Sequence, residues 1–432
     1  MLSEKSTATV RATLPAVGAA IGTITERFYG RLFDARPELL RDLFNRGNQA
    51  AGLQRQALAG SIAAFATYLV DHPDDRPDVM LGRIAHKHAS LGVTAGQYEI
   101  VHQHLFAAIA EVLGEAVTPE VAEAWDEVYW LMANALIAIE ARLYAERGVL
   151  AGDVWREWTV VGRTEETADC ATFRLRPADG APAPAFKAGQ YVSVQVELAD
   201  GARQIRQYSL SSAPGGEVRS ITVKRVAGDP DGEVSGHLHA RLREGDRLRV
   251  SAPYGDLVLD AEVLGGAGLG EAGLGESGPG EAGPGEVGPG GAGGGRGGRA
   301  PLLLASAGIG CTPMLAILEQ LTAAGHRAPV TVVHADRSPA DHPLREDHAA
   351  LTAKLADGAA HFWYESPEPG HPADRTGLVD LSGLVIASGT RAYLCGPLPF
   401  MRAVRTQLLA KGVPAADIHY EVFGPDLWLA QD

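Results

Sequence analysis

At 432 residues the chain has room for roughly two to four domains, and 53 Asp and Glu against 38 Lys and Arg give it a formal net charge of −15. No apolar run reaches the ~18 residues of a membrane span, no charged-then-apolar leader opens the chain, and no basic cluster suits a nucleic acid. Cys170, Cys311 and Cys395 are odd in number and far apart, which fits a reducing cytoplasm rather than a disulfide framework.

Residues 1–150 read as all-α. Thr118-Pro119-Glu120 is a helix start with proline in its first turn. From there Val121, Trp125, Val128, Met132, Ala135, Ile139 and Leu143 recur at spacings of four and three, one apolar helix face. Weaker patterns predict helices over 3–20, 22–35, 50–71, 77–91 and 96–114, with Pro37, Pro73 and Pro77 at breaks.

The pattern changes over 153–262. Valines at every second place in 189–196 predict a half-buried strand, and 204–211, 218–226 and 246–252 repeat the alternation between turn residues. Several such strands predict a small antiparallel β-barrel. Residues 263–300 are different in kind, since 18 glycines fall between Gly265 and Gly298 in imperfect pentapeptides such as EAGPG. Such units enclose no core, and Glu271, Glu276, Glu281 and Glu286 keep them solvated, which predicts a flexible insert. Over 301–432, apolar runs alternate with helical windows, the pattern of an α/β domain on a parallel sheet.

Three short motifs carry chemistry. Arg206-Gln207-Tyr208-Ser209 puts a cation, an aromatic ring and a hydroxyl on one strand, as a flavin needs, although an ordinary strand with a surface arginine would read the same. Gly232-Glu233-Val234-Ser235 opens a short helix with amides and a hydroxyl suited to a diphosphate. Gly308-Ile309-Gly310-Cys311-Thr312-Pro313 leads from a strand into a helix and lets a dinucleotide approach the backbone, with Cys395-Gly396-Pro397 after a later strand. In this order the motifs resemble ferredoxin-reductase-type flavoproteins.

The helical region holds His72, His86, His88, His102 and His104. His86 and His88 point about 200° apart on a helix, so only one of them can face a haem. Together with Phe28-Tyr29 on the second predicted helix, Phe44, Gln54 and Leu58, this region resembles the globin part of flavohaemoglobins. The resemblance then covers the chain outside the glycine tract. It implies a multidomain fold: an all-α globin, an antiparallel β-barrel FAD domain and an α/β parallel-sheet NAD(P)-binding domain.

The resemblance also implies roles. His88 matches the proximal ligand of haem b iron, with Lys87 beside it and Tyr98 and Glu140 as its hydrogen-bonding partners. Tyr29 and Gln54 match the distal polar pair, and Leu58 and Phe44 the apolar contacts at the haem. Gln190, Tyr191, Arg206, Gln207, Tyr208 and Ser209 match flavin contacts, with Gly232, Val234 and Ser235 at the diphosphate. Gly308, Gly310, Thr312, Pro313, Cys395, Gly396 and Pro397 match the nicotinamide-nucleotide side. Glu421 and Phe423 match the terminal segment that covers the flavin. Gly236-His237 departs from the family's phosphate motif, and Val422 stands where relatives carry cysteine. The implied activity is nitric oxide dioxygenation by a cytoplasmic monomer, taking NO, O2 and NADH or NADPH. A carrier or sensor globin with an iron-reducing module, and a peroxidase or general NAD(P)H reductase, stay open. So does the choice of nucleotide: Asp336 after the second α/β strand suits a free 2′-hydroxyl, whereas Arg337 and Ser338 suit a 2′-phosphate.

Overall fold

A computed structural model describes residues 1–228, 230–259, 263, 300–366 and 374–427. The expected glycine-rich insert therefore lies outside the described residues except at 263 and 300. Seven helices come first: α1 (Glu4–Ala35), α2 (Pro37–Asp42), α3 (Arg46–Ala50), α4 (Leu53–Asp71), α5 (Asp78–Leu91), α6 (Ala95–Leu113) and α7 (Pro119–Arg147). Two predicted helices over 3–20 and 22–35 are one, so Phe28 and Tyr29 stand on the first helix and not the second. Gly18 and Gly22 each cost about 1 kcal/mol relative to alanine, and Pro15 removes a backbone donor. Against this, Val10, Val17, Ile24, Phe28 and Leu32 are buried where α1 meets α4, α6 and α7. At about 1.5–3 kcal/mol for each buried side chain, packing wins. The helix expected from residue 50 is instead divided by Gly52, whose φ of 74° turns the chain between α3 and α4.

The α7 helix starts as read. Thr118 Oγ1 accepts from the Val121 amide at 3.3 Å, and Pro119 takes a position that needs no donor. Its deeply buried stripe runs through Trp125, Val128, Ala133, Leu136, Glu140 and Leu143, while Met132, Ala135 and Ile139 are half-buried. The stripe slides by one residue midway, and the slide carries a carboxylate into the core.

The second layer contains β1 (Trp155–Glu165), β2 (Cys170–Pro177), β3 (Tyr191–Glu197), β4 (Arg203–Ser209), β5 (Arg219–Lys224), α8 (Glu233–Arg241) and β6 (Arg247–Ser251). The strands run antiparallel in the order β4-β3-β6-β1-β2-β5, and a bridge between Leu210 and Ile221 joins the two edges into a barrel. The strand expected to be half-buried, β3, is buried on both faces. One face fills the barrel and the other lies under α5, where Ser193 Oγ donates to Ser90 Oγ at 2.9 Å. Tyr191, Ala252 and Tyr254 consequently belong to the same apolar core as Phe28, Tyr98 and Val128 of the helical layer.

The third unit contains β7 (Leu302–Ala307), α9 (Cys311–Ala323), β8 (Val330–Asp336), α10 (Arg345–Lys354), β9 (Gly358–Tyr364), β10 (Asp374–Thr376), β11 (Arg391–Cys395), α11 (Leu398–Ala410) and β12 (Ile418–Glu421). All its pairings are parallel, in the order β10-β9-β8-β7-β11-β12. The chain steps outward from β7 to β10 and returns on the other side of β7. The carboxyl ends of β7 and β11 thus form a topological switch point, the place where open α/β sheets bind ligands. Among the described residues no helix is long and apolar enough to cross a membrane.

Candidate functional site

In the last turn of α5, His88 places Nδ1 2.9 Å from Glu140 Oε1 and 2.9 Å from the Tyr98 hydroxyl. That hydroxyl donates to the same Oε1 at 2.6 Å. A carboxylate only accepts, and the single Tyr98 proton is committed to it. The ring proton of His88 therefore sits on Nδ1, and Nε2 presents its lone pair. Glu140 is 2% exposed, and burial, with the Glu140 charge beside it, pushes the Tyr98 phenol far above its ordinary value, so it stays a donor. No described residue hydrogen-bonds His88 Nε2. A neutral imidazole whose second nitrogen is held by a carboxylate is the donor set that haem iron takes. His86 faces away, as the spacing predicts: its Nδ1 accepts from the Gly255 amide at 3.1 Å, and its ring meets the Tyr254 ring edge-on.

On α1, Tyr29 is buried, with the side chains of Gln54 and Gln49 beside its hydroxyl. Burial holds this phenol well above its usual value, so it too remains a donor. Phe33 stacks on it at 5.6 Å between centroids, Phe44 meets it edge-on at 5.9 Å, and Phe44 and Leu58 pack against the core that contains Tyr29. Gln49 Nε2 is buried with no partner, an orphan donor in an otherwise apolar wall that suits a polar diatomic ligand. The α2–α3 stretch supplying Phe44 and Gln49 is held from outside the helical layer. Gln204 Nε2 at the start of β4 donates to Arg41 O at 3.0 Å and Phe44 O at 3.3 Å. Arg46 reaches Asp200 and Glu233, each at 2.6 Å.

The flavin motif divides by strand alternation. Arg206 and Tyr208 share one face of β4, and Gln207 turns to the other, donating to Ser193 Oγ at 3.0 Å. Ser209 Oγ is buried and unpartnered, an acceptor-donor left for a group in the barrel mouth. Tyr191 is buried beneath α5, close to Ser90. Two matched side chains serve the backbone instead. Gln190 donates to Gly255 O at 3.2 Å and accepts from the Lys187 amide at 3.0 Å. Ser235 Oγ accepts from the Val226 amide at 3.1 Å, bracing the loop that ends at Gly232. Val234 is buried under this first turn of α8.

The two nucleotide motifs meet at the switch point. A Cβ on Gly310 would lie 2.3 Å from Cys395 O and 2.9 Å from Gly396 Cα, so the two backbones cross where only glycine fits. Thr312 Oγ1 donates to Ile309 O at 3.0 Å and fixes the turn after Gly308, with Pro313 buried in the first turn of α9. Cys395 is buried, and Pro397 caps α11. The expected ribose-end residue, Asp336, does not face outward: its side chain is 4% exposed and turned toward His334 Nε2 at 3.6 Å. Arg337 is outward but engaged by Asp341.

The terminal segment closes over α5. Lys87 Nζ donates to Gly424 O, Arg83 pairs with Asp426 at 3.2 Å and lies over the Tyr420 ring at 4.0 Å. Burial lowers the Lys87 ammonium from its usual value. Phe423 is 43% exposed and covers less than its match implies. Glu421 is buried with Oε2 unpartnered, and burial, reinforced by Asp256, pushes it from 4.5 up to about 8. Between those values the folded chain keeps a proton that the unfolded chain has released, so stability falls as pH rises through that window. Glu421→Gln removes this slope. The variant should gain melting temperature relative to the parent as pH goes from 6 to 9, measured by thermal melts across that range.

Sequence reasoning missed Gln49, Arg46, Arg83, Ser90, Gln204 and Asp256. None stands in a periodic pattern or motif; each acts across a domain boundary or a Gly turn.

Three family matches follow the three units: globin over 26–136, an oxidoreductase FAD-binding domain over 157–259 and an oxidoreductase NAD-binding domain over 304–406. The chain is 43% identical to a protein named flavohemoprotein from Bordetella pertussis, over 98% of this chain and 99% of that one. It is 39% identical to the flavohemoprotein of Chromobacterium violaceum, over 98% of each. Among solved structures, a flavohemoglobin from Malassezia yamatoensis with bound FAD and heme superposes with a TM-score of 0.82 at 36% identity, covering 98% of this chain and 100% of that one. The FAD/NAD-binding domain of a nitric oxide dioxygenase from Vibrio cholerae matches 62% of this chain and 99% of its own, with a TM-score of 0.51 and 33% identity.

Proposed function

Since the chain belongs to the flavohaemoprotein family, we propose that it is a nitric oxide dioxygenase, oxidising NO with O2 to nitrate at the expense of NAD(P)H. The reaction balances with two NO and two O2 consumed per NAD(P)H, giving two nitrates, NAD(P)+ and one proton. The observation that carries this reading is the His88–Glu140–Tyr98 triad. A carboxylate on the second imidazole nitrogen makes the histidine a stronger electron donor, which favours oxygen chemistry over storage.

When bound, haem and FAD supply the oxygen chemistry and the passage of electrons one at a time. The chain supplies position and polarity. His88 Nε2 would hold the haem, and Glu140 and Tyr98 keep the proton on Nδ1. The Tyr29 hydroxyl, with Gln54 and Gln49 beside it, would donate to the negative charge that develops on the haem ligand. Arg206, Tyr208 and Ser209 would hold FAD, and Gly308, Gly310 and Gly396 let the nicotinamide nucleotide approach. The Lys87–Gly424 and Arg83–Asp426 contacts hold the segment that follows β12 against α5.

Nitrate formation coupled to NADH loss, followed after adding NO to the aerobic holoenzyme, tests the activity. Tyr29→Phe should slow NO turnover about tenfold, the worth of one hydrogen bond to a charged group, with flavin reduction by NADH unchanged. Full turnover in that variant would remove Tyr29 from the distal site.

A further inference from the structure

Beside the nucleotide cleft, His334 on β8, His342 in the following loop and His348 on α10 are all buried, and each can bring one ring nitrogen within 4.8 Å of the others. Their hydrogen bonding is incomplete. His334 Nδ1 meets the Ser306 hydroxyl at 2.9 Å, His342 Nδ1 the Tyr364 hydroxyl at 2.9 Å, and His342 Nε2 is 3.1 Å from His348 Nδ1. His348 Nε2 is buried without a hydrogen-bond partner, and His334 Nε2 faces only Asp336 Oδ2, 3.6 Å away and beyond hydrogen-bond length. Three buried imidazoles with two nitrogens short of a hydrogen bond are an unusual expense in a core unless a ligand completes them.

We infer that His334, His342 and His348 form a binding site for a transition-metal ion of the Zn2+ class. Imidazole is a preferred ligand for that class, and the tetrahedral Zn–N length of about 2.0–2.1 Å sets ligand nitrogens about 3.3 Å apart. The His342–His348 pair already stands at 3.1 Å. The rings of His334 and His342 now stack at 3.7 Å and 20°, and stacked rings cannot share an ion lying in both planes. Binding therefore turns one ring edge-on. The loop has the means: Leu344, between His342 and His348, is the one non-glycine described residue with positive φ, at 58°, a conformation that a small hinge motion relaxes.

The site has a consequence for the reductase. Ser306, the partner of His334, directly precedes the Ala307-Gly308 turn, and Asp336 ends β8 at the nucleotide side. A bound ion that turns His334 shifts both, so it should slow NADH-driven flavin reduction several-fold.

The test uses haem- and FAD-loaded protein, stripped with chelator, incubated with Zn2+ and desalted, with zinc measured by mass spectrometry against haem. The parent should retain one zinc per chain more than His342→Leu or His348→Phe, each checked for full haem and FAD absorbance. Equal retention overturns the site. A second measurement needs no variant: zinc-edge anomalous scattering from crystals of the parent soaked in Zn2+. A peak enclosed by the three histidines supports the assignment, and zinc found only elsewhere, or no peak, overturns it.

Discussion

His88→Ala should abolish the haem Soret band of the purified protein and all NO turnover, while His86→Ala leaves the band in place. The contrast tests the ligand directly, since the two rings are two residues apart and leave α5 in opposite directions. Only His88 has one ring nitrogen fixed by Glu140 and Tyr98, which leaves the lone pair on its Nε2. His86 is occupied by the Gly255 amide. Flavin binding and its reduction by NADH should survive in His88→Ala, because the barrel and the parallel sheet have cores of their own. Retention of a normal Soret band in His88→Ala would refute the assignment.

Gly310→Ala should cut the rate of flavin reduction by NADH about 100-fold, with haem and FAD content unchanged. The added Cβ would meet the Cys395 carbonyl at 2.3 Å, and no side chain can yield because both neighbours are backbone. The turn after β7 must move away from β11 by something near 1 Å, and misplacement on that scale costs about 100-fold in a reaction that depends on alignment. Stopped-flow reduction by NADH reads the effect, and reduction by dithionite, which bypasses the nucleotide, should be normal. Unchanged NADH reduction would mean that this turn does not position the nicotinamide.

Architecture was legible in the chain because its local signals agree with its packing. Alternating valines mark β3, Thr118-Pro119 marks the start of α7, and apolar runs between helical windows mark the parallel sheet. The misreadings fall where distant packing overrides local propensity. Buried Val17 and Ile24 carry α1 through Gly18 and Gly22. The second face of β3 is buried because α5 lies on it. Glu140 was reachable only through family resemblance, since periodicity alone put Ile139 on the apolar face; the His88 N–H is what makes a carboxylate tolerable there. Gln49 could not be paired with Gln54 by spacing, because the Gly52 turn between them resets the helical phase. Asp336, expected past the second α/β strand, is the last residue of β8, and its side chain points inward. His334, His342 and His348 stand eight and six residues apart in three different structural settings, a spacing that matches no metal motif.

Gln204 makes the helical layer and the barrel depend on each other. A side chain of the barrel holds the carbonyls of Arg41 and Phe44, and three barrel residues complete the apolar interior of the helices. Exchanging this globin for one from a free-standing oxygen carrier would leave Gln204 and Ser193 facing the wrong partners and Tyr254 uncovered. The barrel is joined on its other side too, since Ala188, Leu257 and Leu259 share an apolar core with Leu302, Met314 and Ile317 of the parallel-sheet unit, so the barrel is the part that neither neighbour can be cut from cleanly.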